Sequence, residues 1–461
     1  MNRLAIITRR AALLAGPALA LTRSARSQTR VFDVAAYGAK GDGETLDSPA
    51  IQKAIDAAAA AGKGAQVLIR GGRKYLIGTL ELKGPIDFHL ADDAELIATS
   101  DPAQYKGAAI IAANAVEGLR ITGTGNINGR AREFMTGYDQ ANEWWRPKPF
   151  RPKMFVLREC KDLEIHGISF SEAPEWGLHM MGCERVLVDG LRIRNLLDVP
   201  NCDGIDPDHC RDVEIKNCDI VCGDDAIVIK NTRQGHAYGP SSNIRIRDCV
   251  IQTQDAGVKI GTETVDDIHD IVFERCEIKS SSRGICIQLR DEGNVFDVEF
   301  RNIRLTARYH SDPWWGRGES ISLTAIPRAA DTKVGKLHDI RLRNITARSE
   351  NSARICGSAQ SLATAITLEN VNLTLDRWTP YKGGVWDNRP TRAMADIEPH
   401  ATPALSLRHV RDISIVNSSV TWGPHPPEYF THAIETEDTS DLNLTGFKGA
   451  AANGVDIKIR P

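Results

Sequence analysis

Apolar and polar residues alternate along most of this chain, and one phrase of that alternation recurs. It runs apolar-polar-apolar-polar, then a turn residue, two free positions and an apolar residue. "LEIHGISF" begins at Leu163, "VLVDGLRI" at Val186, "VEIKNCDI" at Val213, "IRIRDCVI" at Ile244, "IVFERCEI" at Ile271 and "VEFRNIRL" at Val298. One earlier copy begins at Leu119, and later copies begin at Ile340, Ile366, Ile413 and Leu442. Successive copies cluster at spacings of 23–31 residues, with longer gaps of 42–47. Period-two alternation predicts strands. The Gly, Asn or Asp at the turn position of every copy but the one at Ile271, which has Arg275, suits left-handed backbone. A period of this length made of strands alone is that of a β-solenoid, whereas a propeller blade needs roughly 40–50 residues. A single coil cannot bury its inner apolar positions, but coils stacked about 4.8 Å apart bury a continuous core. The pattern therefore predicts an all-β fold, a single-stranded parallel β-helix.

The N-terminal part breaks the pattern. "VFDVAAYGAKGDGETLDS" (Val31–Ser48) reads as a strand followed by a Gly/Asp loop. Ser48-Pro49 is a helix start with Pro in the first turn, and "PAIQKAIDAAAAAGKG" keeps helical apolar spacing up to Gly62. This short helix is expected to cap the open end of the solenoid. Before it lies a targeting segment, a basic "MNRLAIITRR" followed by the short apolar run "AALLAGPALAL". That run is too short to span a bilayer, and "ARS" (Ala25–Ser27) offers a cleavage site before Gln28. Arg9-Arg10 points to a twin-arginine signal, with an ordinary secretory signal as the alternative. The expected organisation is an export signal at 1–27 and one catalytic unit at 28–461. The expected location is periplasmic or extracellular, and no later stretch is apolar enough to insert in a membrane.

Charge and cysteine usage narrow the partners. The formal charge is −3, and losing residues 1–27 removes five arginines and no acids, leaving −8. Nucleic-acid binding needs a basic footprint, so it is excluded as an expectation. A monomer is expected. All ten cysteines fall between Cys160 and Cys356, and Cys218, Cys249 and Cys276 occupy the same slot of the repeated phrase. A stacked interior ladder explains that slot, and no Cys/His cluster has zinc spacing. For Cys202 and for Cys218 to Cys222, ladder packing and disulfides remain equally open.

Two long loops interrupt the repeats, at about 129–153 and 306–320. They carry Trp144, Trp145, Trp314 and Trp315, which would stack on sugar rings or pack their own loops. The remaining signal is acidic. "PNCDGIDPDHC" (Pro200–Cys210) and "CGDDAIVIK" (Cys222–Lys230) concentrate five carboxylates. Asp203 and Asp224 lie 21 residues apart, about one coil, so Asp203, Asp224 and Asp225 would converge on one patch. Like charges that close cannot all ionise, which separates a protonated acid from ionised partners. Cleavage of a glycosidic bond needs that division of roles. Turn capping and a calcium site are the competing readings of the same residues.

"NCDGID" and "GDD" resemble the Asn-x-Asp and Gly-Asp-Asp motifs of glycoside hydrolase family 28, the polygalacturonase family. "VFDVAAYGAKGDG" resembles the opening of its bacterial members, and the likeness runs from about Val31 to Arg290. The resemblance implies a right-handed parallel β-helix and an inverting hydrolase of pectin-type glycans that needs no metal or cofactor. It implies Asp224 as general acid, Asp203 and Asp225 as bases that activate water, and Asn201 as the start of the first motif. Two departures follow. Where the family has Gly-His-Gly, this chain has Asp255-Ala256 within "QTQDAGVKIGTET", and His236 precedes the next strand rather than following it. Where the family has Arg-Ile-Lys to grip a uronate carboxylate, this chain has "QLR", with Gln288 and Arg290 at the outer positions. The expected substrate-binding set is Asn201, Asp255, Lys259, Gln288, Arg290, Trp314 and Trp315. With the Arg clamp absent, the expected partner is a plant cell-wall polysaccharide or oligosaccharide other than plain polygalacturonate. A polysaccharide lyase using Lys259 or Arg290, and a non-catalytic glycan-binding solenoid, are the alternatives.

Overall fold

A computed structural model describes residues 29–424 and 426–460, so the expected export signal lies outside the described residues. The repeated phrases stack as their spacing predicts. Leu163 aligns with Val186, then Val213, Ile244, Ile271, Val298, Ile340, Ile366, Ile413 and Leu442, each pair parallel. The coils form one long right-handed parallel β-helix. Turn residues take the left-handed backbone expected of them, with φ of 54° at Asn217, 57° at Asp248, 56° at Asn302 and 55° at Asn344. Their side chains continue the stacking, because Asn344 Nδ2 donates to Asn302 Oδ1 at 2.9 Å and Asn370 Nδ2 to Asn344 Oδ1 at 3.1 Å.

Inside the coils, like sits on like. Ile165, Val188, Ile215, Ile246, Phe273, Phe300 and Leu342 make one interior column, and the Phe273 and Phe300 rings stack at 5.0 Å. All ten cysteines are buried free thiols. The ladder reading therefore holds, and Cys202, Cys218 and Cys222 form no disulfide. The capping helix spans Ser48–Ala61 and ends at Gly62, and Ile51, Ala54, Ile55 and Ala58 face the first coil. Asp47, just before it, accepts from the backbone N–H of Lys40 at 2.7 Å and Gly41 at 2.9 Å, which folds the Gly/Asp loop against the helix start. Among the described residues no helix is long and apolar enough to cross a membrane.

Three segments leave the coils on one side. The first holds an antiparallel hairpin, Met135–Asp139 with Trp144–Pro147. The second is the loop between the strands Val295–Ala307 and Glu319–Ala325. The third, between Ala363–Leu375 and Leu405–Val416, holds the hairpin Val385–Asp387 with Ile397–Pro399. These segments meet: Trp144 packs edge-on against Trp314 at 6.0 Å, and His310 stacks on Tyr381 at 5.3 Å. The strands beneath them, Ile227–Asn231, Arg283–Leu289 and Glu319–Ala325, are buried on both faces. Strands elsewhere, such as Arg211–Lys216, alternate buried and exposed.

Candidate active site

The carboxylates occupy the bend that leads into the covered strands. Asp203 precedes Ile205–Asp208, and Asp224 and Asp225 precede Ile227–Asn231 on the next coil. Ile205 aligns with Ile227, and Gly204 N donates to Asp225 O at 2.9 Å. That close approach explains the glycine of "NCDGID", since a Cβ on Gly204 would lie 2.2 Å from the Ala226 carbonyl oxygen. One oxygen from each of Asp203, Asp224 and Asp225 lies within 4.8 Å of the others, so the solenoid brings together the three residues expected to act. A cation would also satisfy this spacing.

The three acids have different surroundings. Asp224 is half-buried, and its Oδ2 accepts from Asn201 N at 3.0 Å. Burial, then the Asp203 and Asp225 carboxylates, push it up to about 7. Burial and the neighbouring Asp206 likewise push Asp203 well above the ordinary carboxylate range, against the pull of Lys230. Asp225 instead receives a 2.7 Å bond from Lys259 Nζ, with both side chains buried. Asp255 begins the next rung and faces Arg283 at 3.4 Å. Burial and Asp225 hold it well above its ordinary value. A buried carboxyl group with a raised pKa thus stands where the resemblance would place histidine.

Lys230 was not among the expected residues. Its Nζ lies 3.5 Å from Asp203, 3.8 Å from Asp206 and 3.7 Å from Glu263, and 4.3 Å from the centre of the Trp176 ring. Burial opposes its charge, but Asp203, Glu263 and Asp206 outweigh burial and raise its pKa. Strand alternation in "AIVIK" carries the signal for it, because Lys230 falls on the outward side with Val228. Asp206 was also missed as a member of the network. Neither of its buried oxygens has a hydrogen-bond partner among the described residues, and burial pushes it up to about 7.

These groups open on one cavity of about 370 Å³. Asn201, Asp203, Asp224, Asp225, Asp255 and Lys259 line it, and Trp144, Trp176, Trp314 and Trp315 form apolar walls. The description of glycosyl hydrolases family 28 matches residues 62–381, more than two thirds of the chain.

The chain belongs to glycosyl hydrolases family 28.

It is therefore a glycoside hydrolase. Among relatives of this family 28 chain, a probable polygalacturonase of Vitis vinifera is 27% identical over 376 residues, covering 74% of this chain and 73% of that protein. An exopolygalacturonase of Zea mays is 26% identical over 361 residues, covering 74% and 83%. The structure of a family 28 exopolygalacturonase from Yersinia enterocolitica superposes with a TM-score of 0.68 at 18% identity, covering 91% of this chain and 79% of that one. That of an exopolygalacturonase from Thermotoga maritima gives 0.57 at 18% identity, covering 90% and 92%. At such identity these two structures share the fold.

The hydrolase departs from the expected site at its far wall. Gln288 and Arg290 are buried and do not line the cavity. Gln288 Nε2 donates to Arg389 O at 3.0 Å; Arg290 donates to Thr324 Oγ1 at 2.9 Å and Asn388 O at 3.4 Å. Arg283 and Arg354 bind the same strap through Asp387 O at 3.1 Å and Asn388 Oδ1 at 2.7 Å. Residues 387–389 therefore lie over the positions where the family's uronate grip was expected and take one hydrogen bond from each, while Gln288 Oε1 and Arg290 Nε stay buried without a partner among the described residues. Without a compensating anion, burial and Arg283 depress Arg290 to about 9. Trp145 packs edge-on against Tyr138 of its own hairpin at 5.4 Å, and its indole N–H donates to Asp198 Oδ2, outside that loop, at 3.2 Å. His236 is exposed beside Glu159 and stays outside the cavity lining.

Proposed function

We propose that this hydrolase cleaves an α-linked glycosidic bond in a pectin-type polysaccharide or oligosaccharide, with Asp224 as general acid. The observation that carries the reading is the carboxylate cluster at the floor of a tryptophan-walled cavity. Asp224 has the environment an acid needs, since burial and two neighbouring carboxylates retain its proton near neutral pH. Asp203 and Asp225 face the same space and are assigned to water activation, Asp203 after it gives up the proton that burial favours, a loss that Lys230 at 3.5 Å assists. Lys259 compensates charge at Asp225, which leaves it as an acceptor for a water proton. A lyase base on Lys259 is disfavoured by that 2.7 Å bond, and one on Arg290 by its burial behind the strap.

The cleavage pocket favours a neutral sugar. Five carboxylates, counting Asp255 and Glu263, face it against two lysines, Lys230 and Lys259. Among the described residues no arginine lines this cavity, so a uronate there would find no guanidinium fork to hold its carboxylate, whereas a neutral sugar needs none. Inversion of the anomeric carbon is the proposed outcome. The spacing within 4.8 Å is shorter than the roughly 6.5–9.5 Å usual for inverting pairs, so the anomer of the first product tests the mechanism directly. A retained anomer would recast Asp203 or Asp225 as a nucleophile. The N-terminal signal pattern supports action after export, in the periplasm or outside the cell.

The experiment is reducing-end release from a panel of pectic polysaccharides by the mature protein and by Asp224→Asn. Release that Asp224→Asn abolishes is expected. Full activity in Asp224→Asn would overturn the assignment, and product absorbing in the near ultraviolet would identify a lyase.

A further inference from the structure

We propose that a second groove, beyond Trp315, is a subsite for a sugar carboxylate, so that the enzyme reads acidity beside the residue it cleaves rather than at it. This rests on the proposed glycosidase reading and adds a site to it. The groove measures about 580 Å³ and shares Trp315 and Pro390 with the catalytic cavity. A glycan leaving the carboxylate cluster in that direction must cross the half-buried Trp315 ring. The titratable lining changes there from mostly acidic residues to mostly arginine. The catalytic cavity has an excess of acids, whereas Arg328, Arg389 and Arg392 face Asp396 alone in the groove.

The three arginines have distinct duties. Arg328 is clamped to Asp291 at 2.6 and 2.8 Å, and Arg389 to Asp387 at 2.8 and 2.7 Å, so both form fixed walls. The Arg389 guanidinium also sits 5.8 Å from the centre of the Trp315 ring. Arg392 is exposed, and among the described residues its side chain has no ion pair or hydrogen bond. Its backbone N–H donates to Arg328 O at 2.7 Å, which anchors it beside the groove. An uncommitted guanidinium presents the planar fork that binds a carboxylate through two hydrogen bonds. With Trp315 beneath the ring, the groove offers one apolar face and one charged contact, the recognition chemistry of a uronate.

The test uses calorimetric titration of the mature protein in the Asp224→Asn background, which binds without turnover. The probes are a tetramer alternating neutral rhamnose with galacturonate, which can place a neutral sugar in the cleavage pocket and a uronate beside it, and the same tetramer fully methyl-esterified. Arg392→Ala should weaken binding of the acid about tenfold, the worth of one charged hydrogen-bonded contact, and leave the ester within about twofold. Arg392→Lys should fall between. Equal losses on both probes, no change on either, or no preference for the acid before mutation would overturn the proposal. Turnover by the unmutated enzyme is read separately. If it cleaves nothing while Arg392→Ala still weakens only the acid, the glycosidase reading fails and the subsite stands.

Discussion

On the face that carries Arg211–Lys216 and Ser241–Arg247, neighbouring coils present acids and bases to each other in solvent. Arg275 reaches Asp248 at 2.8 Å and Arg301 reaches Glu274 at 2.7 Å, while Arg185 holds Asp162 at 2.7 Å. On the covered face the same one-coil stacking sets Asp203, Asp224, Asp225 and Asp255 near one another. The same residue type then titrates in opposite directions. The Arg275 hydrogen bond holds Asp248 at about 2, and burial with two acidic neighbours lifts Asp224 to about 7. Backbone geometry is common to both, so it does not set the chemistry. What differs is the cover laid over one face by the three inserted segments, which removes water and lets like charges perturb one another.

The strongest way to break this comparison is Asp224→Asn, which removes the proton that the covered face retains. A fall in kcat of about 10²–10⁴ with KM little changed is expected in steady-state kinetics. The pH profile sharpens it. A general acid raised to about 7 must be protonated to act, so kcat/KM should decline as pH rises through about 7. A profile flat to pH 9 would remove Asp224 from that role.

Charge compensation comes next. Lys259→Met leaves Asp225 buried without its cation and should destabilise the fold by about 3–5 kcal/mol at neutral pH in denaturant unfolding. Adding Asp225→Asn should recover part of that loss, and no recovery would mean Lys259 acts through packing alone. Asp206→Asn probes a smaller, pH-dependent cost. Its folded pKa of about 7 lies above the unfolded value of about 3.9, so the native state holds the extra proton. Wild-type stability should therefore be fullest below about pH 4 and fall towards pH 7 from this group. Asp206→Asn should flatten that slope, seen as a thermal midpoint that gains on wild type as pH rises from 4 to 8. The smallest effect belongs to the open face. Arg275→Ala should cost under about 1 kcal/mol, fade with added salt and leave turnover unchanged.

The repeat was legible because each coil makes the same demand, an apolar residue at alternate inward positions and a turn residue that accepts left-handed backbone. That demand is local, so the phrase starts from Leu163 to Leu442 share one pattern in the sequence and one line in space. The capping helix was legible for the same reason, from Ser48-Pro49 to Gly62. The catalytic trio followed from one further step, that residues one coil apart are neighbours. The strap was not legible. The 47-residue gap between Ile366 and Ile413 marked its place, but a segment with a single short hairpin has no period to read. Gln288 and Arg290 were misplaced as a result, since nothing near them in the chain says that residues 387–389 lie on top.

By itself, then, the sequence determined the solenoid, its cap and the meeting of Asp203, Asp224 and Asp225, because all three depend on short-range periodicity repeated coil after coil. Only the tertiary structure decided which outward side chains meet water and which meet substrate. That choice depends on contacts about a hundred residues apart, Arg283 with Asp387 and Gln288 with Arg389, and on the burial they create. Desolvation belongs to the assembled surface and to no stretch of sequence, and it separates the carboxylates of this site from their counterparts on the open face.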